Sequence, residues 1–259
     1  MNIVLFGNCF ITFIGFLLKQ HPGFKDCNFN YIYNYTINRI EEKHLTLLNN
    51  ADLIILQYII NKNRFFFHKT IIKHIKNSKN AKIILYPHYT FHSYFHNNLI
   101  QINSILENDF IKTKELDDVC NFDMYNFVLK NYKRIQLFQC SGHPLMVFFI
   151  ELVNQILIKI DLSYKNQLIQ NIRENYYIQS NEIYFLNKNI CDKLNLEFNT
   201  TEDDLILEDL FHNSLQVWET KSITEKFPNG KHFLPLDYAP VFNKYRKCWK
   251  NLKITISKF

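Results

Sequence analysis

"NIVLFGNCFITFIGFLLKQ", residues 2–20, contains the transition on which the fold depends. "NIVLF" (2–6) is short and continuously apolar, the pattern of a strand buried on both faces. "FITFIGFLLKQ" (10–20) stays apolar for longer than a strand does and reads as a helix. Gly7, Asn8 and Cys9 lie between them and must make the turn.

The alternation continues outward. "NFNYIYN" (28–34), "DLIILQY" (52–58) and "AKIILYP" (81–87) read as strands, and "INRIEEKHLTLLNN" (37–50) and "FFFHKTIIKHIKNS" (65–78) as helices. Short apolar runs alternating with helical spacing predict an α/β fold with an N-terminal parallel sheet flanked by helices, over residues 1–98. Residues 99–259 are largely helical, completing the same domain or forming a second subdomain; "LIQINSILEND" (99–109), "DVCNFDMYNFVLKNYKRIQLF" (118–138), "HPLMVFFIELVNQILIKI" (143–160) and "SYKNQLIQNIRENYYIQ" (163–179) carry the pattern. Pro144 fits the first turn of a helix starting near 144. "FPNGKHFLPLDYAP" (227–240) reads as loops and short helices.

A chain of 259 residues, 47% hydrophobic and 21% charged, is ordinary globular material with enough residues for a full core. The net charge of +6 suits a phosphate-bearing ligand or a polyanion, yet the basic residues are scattered, so nucleic-acid binding is not expected. Cysteines at 9, 27, 120, 140, 191 and 248 form no CxxC pair, which argues against structural zinc and for free thiols in a reducing compartment. The N-terminus lacks a basic region, and its apolar stretch is interrupted by Gly7, Asn8, Cys9 and Thr12. It is also short for a membrane span, so a cytoplasmic chain with no transmembrane segment is expected.

In an open parallel sheet, ligands bind at the C-terminal ends of the strands, so the turn after the first strand borders any site. Gly7 would allow a tight turn there, and Cys9 would lie near a helix N-terminus, where the dipole favours a thiolate. A buried structural cysteine is the competing reading. "GNCFIT" supplies one glycine where a dinucleotide fingerprint or phosphate loop needs several. Gln57 closes the third strand and reaches the same mouth, or is a simple strand-end polar residue.

"YPHYTFHSYFHN" (86–97) spaces His88, His92 and His96 every four residues, but Pro87 and the aromatic content favour a loop over a ligand-bearing helix, and no metal site is expected. Its aromatic residues, Tyr89 among them, better fit the wall of a substrate or cofactor pocket. In "CSGHPLMVFF" (140–149), His143 would stand at a helix N-terminus, which keeps an imidazole neutral and able to act as a general base. A capping or surface histidine explains the spacing equally well.

"GNCF" after the first strand, "ADLIILQY" ending the third, "YPHYTFHSY" after the fourth and "SGHP" before a helix occur in the order seen in the WcbI-type capsular polysaccharide biosynthesis family, which roughly the first 160 residues resemble. The resemblance implies a coenzyme A-binding protein that acts as an acetyltransferase on a sugar hydroxyl, with acetyl-coenzyme A as substrate. It further implies a carbohydrate acceptor and peripheral association with the polysaccharide assembly machinery. By it, Gly7, Asn8 and Cys9 match the "GNC" signature, Gln57 the strand-three glutamine, and His143 and Pro144 the "HP" pair. Phe10 stands where the family has glutamine, and Leu145 where a polar residue is expected.

On that basis the catalytic candidates are His143 as base, Asn8 as oxyanion donor and Cys9 as acyl carrier or pocket wall. Gly7, Asn8, Cys9, Gln57, Tyr89 and His143 are the cofactor-binding set, with Lys62 and Arg64 nearest the phosphates by topology. Two alternatives remain. A hydrolase of SGNH-like strand order would use Cys9 as nucleophile and the late "DLFH" pair, Asp209 and His212. A non-catalytic binding protein of the same system would keep the Rossmann-like fold without chemistry.

Overall fold

Ile3, Val4, Leu5 and Phe6 are wholly buried because β1 (Asn2–Gly7) is covered on both faces. The computed structural model describes residues 1–37, 39–59, 68–75, 81–96, 98–162 and 188–197. Within them, β1, β2 (Asn28–Tyr33), β3 (Leu53–Gln57) and β4 (Lys82–Tyr86) form one parallel sheet in the order β2-β1-β3-β4. This is an α/β fold. The helices α1 (Phe10–Lys19), α2 (Glu42–Asn49) and α3 (His68–Ile75) connect the strands.

The period-two alternation of strand side chains divides the core. Ile3, Leu5, Leu53, Ile55, Ile84 and Tyr86 share one cluster with α1, while Val4, Phe6, Ile54 and Leu56 pack with Leu48 of α2 and Ile71 and Ile75 of α3. Helices α4 (Ile102–Cys120), α5 (Met124–Asn131), α6 (Met146–Lys159) and α7 (Lys188–Leu194) all add residues to the α1 side, so the helical part and the sheet share that core. No helix among the described residues is long and apolar enough to cross a membrane.

α4 carries buried polar residues at i, i+4 and i+8: Asp109, Thr113 and Asp117. That spacing puts them on one helix face, and each is satisfied. Asp109 Oδ2 accepts from the backbone N–H groups of His92 and Ser93 and from the Ser93 hydroxyl. Thr113 donates to the Asp109 carbonyl. Asp117 accepts from the Tyr89 hydroxyl at 2.5 Å and, through its other oxygen, from the Tyr125 N–H at the start of α5. The stripe thus clamps the aromatic segment after β4 against α4.

Burial, partly offset by these hydrogen bonds, pushes the Asp117 carboxyl up to about 6 from its ordinary 3.8. The folded state then holds the Asp117 proton more tightly than the unfolded chain does. Its contribution to stability is complete below about pH 3.8 and is lost as the pH rises through about 6. Thermal melts should therefore show wild type losing ground to Asp117→Asn between about pH 4 and pH 7. A difference between the two that does not vary with pH would refute this.

The region after α5 departs from the expected continuous helicity. β5 (Phe138–Cys140) and β6 (His143–Pro144) form an antiparallel pair, and α6 begins at Met146 rather than near 144. The cause is local. A helix begun at Pro144 would leave His143 extended in any case, so the later start comes from the next residue. Leu145 is still extended, and its N–H bonds to the Leu137 carbonyl at 2.8 Å. The segment 163–179 and the tail at 227–240 lie outside the described residues.

Candidate functional site

At the C-terminal rim of the sheet, the side facing α1 presents one row across four strands: Tyr33, Gly7, Gln57 and Tyr86. Gly7 pairs with Tyr33 and Gln57 with Tyr86 in the strand register, and β1 and β3 are neighbours. Strands lie about 4.8 Å apart, so the Tyr86 ring has to cross β3 to bring its hydroxyl over Gly7. A Cβ on Gly7 would overlap Tyr86 Oη, and would lie 3.0 Å from Gln57 Cβ and 3.1 Å from Ile11 Cγ2. Gly7 does not have a left-handed φ. It is required for close approach and not, as the sequence implied, for the turn itself.

The order β2-β1-β3-β4 reverses between β1 and β3, the crevice where open α/β sheets bind ligands. Gly7, Asn8, Cys9 and Gln57 meet there. Gln57, almost fully buried, accepts the Asn8 N–H at 3.0 Å and the Asn34 side-chain amide at 2.9 Å through one oxygen. It ties the turn after β1 to the end of β2, and that oxygen faces protein donors rather than the mouth. Asn8 Oδ1 accepts from the Phe10 N–H at 3.1 Å. Its side-chain NH₂ is therefore the donor Asn8 can offer a ligand.

Cys9 is half-buried at the start of α1. A thiolate there would raise the phenols of Tyr33, Tyr35 and Tyr86, although burial is the larger cause in each. Tyr33 Oη shares a hydrogen bond with Thr12 Oγ1, and Tyr35 is exposed and packs on the Tyr33 ring. Tyr86 is wholly buried, and its hydroxyl has no hydrogen-bond partner among the described residues.

Phe10 is fully buried, edge-on to Phe149 and to His88. The aromatic that follows Cys9 is a core residue. His88 Nε2 lies 3.4 Å from the Gly142 carbonyl, and the Phe91 N–H bonds to the Ser141 carbonyl at 2.8 Å. The β5–β6 hairpin therefore sits beside the β1 turn, with half-buried His143 at its edge. His143 lies in β6 and not in the first turn of α6, so it does not stand at a helix N-terminus. His88 lies behind the hairpin: burial pushes its imidazole down, against the opposing pull of the Gly142 carbonyl and with any positive charge on His143 adding to the effect. Sequence reading weighed His88 only as a metal ligand and missed this.

Tyr89 is not at the mouth. It is 1% exposed, edge-on to Phe148, with its hydroxyl committed to Asp117, so it is a core residue and not a pocket wall. The three histidines do not converge. His92 Nδ1 pairs with Asp109 Oδ1 at 3.1 Å, and His96 Nδ1 accepts from the Asn98 N–H. Among the described residues no cluster of three or more His, Cys, Asp or Glu is arranged to hold a metal. Lys62, Arg64, Asp209 and His212 lie outside the described residues.

No family model matches the sequence, and no curated protein matches it at a significant level. Among solved structures the fold is similar to WcbI, described as a polysaccharide biosynthesis enzyme in a native form without a disulfide between coenzyme A and a cysteine. The identity is 12% and the TM-score 0.45, over 64% of this chain and 71% of that one. A likeness of that degree leaves the functional reading to the sequence motifs and the geometry of the rim.

Proposed function

We propose that this chain is a coenzyme A-dependent acetyltransferase acting on a sugar hydroxyl in surface polysaccharide biosynthesis. The observation that carries the reading is the meeting of Gly7, Asn8, Cys9 and Gln57 at the point where the strand order reverses, beside the hairpin that bears His143. These are the positions that the resemblance marks for coenzyme A.

In the reaction, the sugar oxygen attacks the thioester carbonyl carbon while His143 takes the hydroxyl proton. The carbon–sulfur bond then breaks, and the departing thiolate takes up that proton, leaving an acetyl ester and free coenzyme A. The Asn8 NH₂ donates to the carbonyl oxygen as charge develops on it. His88 acts through its contact with Gly142, holding the hairpin at the rim. Cys9 lines the thioester's sulfur end of the cleft, and direct transfer needs no covalent step on it.

Calorimetric titration of the full chain with coenzyme A and acetyl-coenzyme A tests the first half of the reading, with saturable one-to-one binding expected. A folded protein that takes up neither would exclude it. Consumption of acetyl-coenzyme A at the same rate with and without a sugar acceptor would instead identify a thioester hydrolase.

A further inference from the structure

The hairpin that carries His143 is too small to hold itself in place. β5 has three residues and β6 two, and an isolated two-stranded hairpin is marginal in water. Its position at the rim is therefore set by what it rests on. Phe91, in the segment after β4, meets it in two ways. The Phe91 N–H donates to the Ser141 carbonyl at 2.8 Å, and the buried Phe91 ring stacks on Phe138 of β5, with centroids 5.5 Å apart and planes 12° from parallel. Phe138 pairs across the hairpin with Pro144, the neighbour of His143. The His88 contact to the Gly142 carbonyl, at 3.4 Å, is longer than the Phe91 bond.

Phe91 is held in turn through the two residues that follow it. The N–H groups of His92 and Ser93 both donate to Asp109 Oδ2 at 2.8 Å, the Ser93 hydroxyl donates to the same oxygen, and His92 Nδ1 meets Oδ1 at 3.1 Å. Asp109 is 1% exposed on α4, and a buried carboxylate is costly unless hydrogen bonds compensate it. Its two oxygens here take as many partners as a carboxylate can accept.

We propose that Asp109 is a positioning residue for His143: by fixing the backbone of His92 and Ser93 it fixes Phe91, and Phe91 fixes the hairpin at the rim. The inference rests on the reading of His143 as the base. Asp109 acts wholly through the hairpin.

The test is Asp109→Asn in the full chain. Asparagine keeps one acceptor oxygen and turns an NH₂ towards donors, so bonds to His92 and Ser93 are lost. Hydrogen exchange at the Phe91 and Leu145 amides should become about tenfold faster or more, as expected for losing a hydrogen bond to a charged group. With the sugar that wild type accepts, kcat should fall by about 10- to 100-fold, the effect of a misplacement remote from the chemistry, and KM for acetyl-coenzyme A should not change. In a His143→Ala background the same substitution should cost no more than about twofold, because the group it positions is gone. A merely structural loss would lower both backgrounds alike. Ser93→Ala takes one bond from the carboxylate and should reproduce the split in smaller measure. It keeps the test decisive if Asp109→Asn does not fold.

Unchanged exchange at Phe91 and Leu145, or an equal loss of kcat with and without His143, would overturn the proposal. Faster exchange in Asp109→Asn, with a wild type that transfers no acetyl group, would count against the acetyltransferase reading alone and leave the hold on the hairpin standing.

Discussion

Replacing His143 with alanine should lower the rate of acetyl transfer by about 10²–10⁴-fold, the range that general base catalysis contributes. Coenzyme A affinity should change little, because proton removal is needed in the transition state and not in the bound ground state. The loss should therefore appear in kcat and leave KM for acetyl-coenzyme A nearly unchanged. His88 provides the comparison. Its Nε2 faces the Gly142 carbonyl, so His88→Phe keeps a ring against Phe10 and removes the polar contact to the hairpin. That variant should lose activity by misplacing His143, with a smaller loss than removal of His143 itself. The ranking is the test. Turnover that survives His143→Ala but collapses in His88→Phe would transfer the base role to His88, whose imidazole burial pushes down.

The parallel sheet was legible because the signal is local. β1, β3 and β4 are mainly apolar runs bounded by polar or turn residues, β2 alternates, and burial on both faces removes the need for alternation in β1 and β3. Gly7, Asn8, Cys9 and Gln57 were legible as a group because strand ends define the rim once the alternation is recognised. What each residue does there was not, since it depends on neighbours far along the chain. Gly7 looked like a turn glycine until Tyr86, two strands away, proved to fill the space above it.

Tyr89 looked like a pocket aromatic, yet its position is set by Asp117 on α4. The buried stripe of Asp109, Thr113 and Asp117 was visible as a four-residue repeat, but on a helix face that composition reads as solvent-exposed. His143 was misplaced for a different reason. The helical pattern from Met146 onward was extended back through Pro144, but Leu145 is extended and bonds to the Leu137 carbonyl, a partner the helical pattern does not show.

Gly7→Ala should destabilise the fold by about 1–3 kcal/mol, as overpacking of a close-packed interior does. The sign is informative because two effects oppose each other. Gly7 does not have a left-handed φ, so its backbone tolerates alanine, and at a compatible site the exchange stabilises by about 0.4–1 kcal/mol through the unfolded chain. Against this, the new methyl would occupy the position of Tyr86 Oη, and a ring with no exposed surface has nowhere to move without displacing its neighbours. Tyr86→Phe removes the conflicting oxygen, so the double variant should recover much of the loss. Neighbouring sites show interaction energies of about 0.5–3 kcal/mol in such cycles, and denaturant melts of the four proteins would measure it. Additive effects, or a Gly7→Ala protein more stable than wild type, would place the Tyr86 hydroxyl away from the β1 turn.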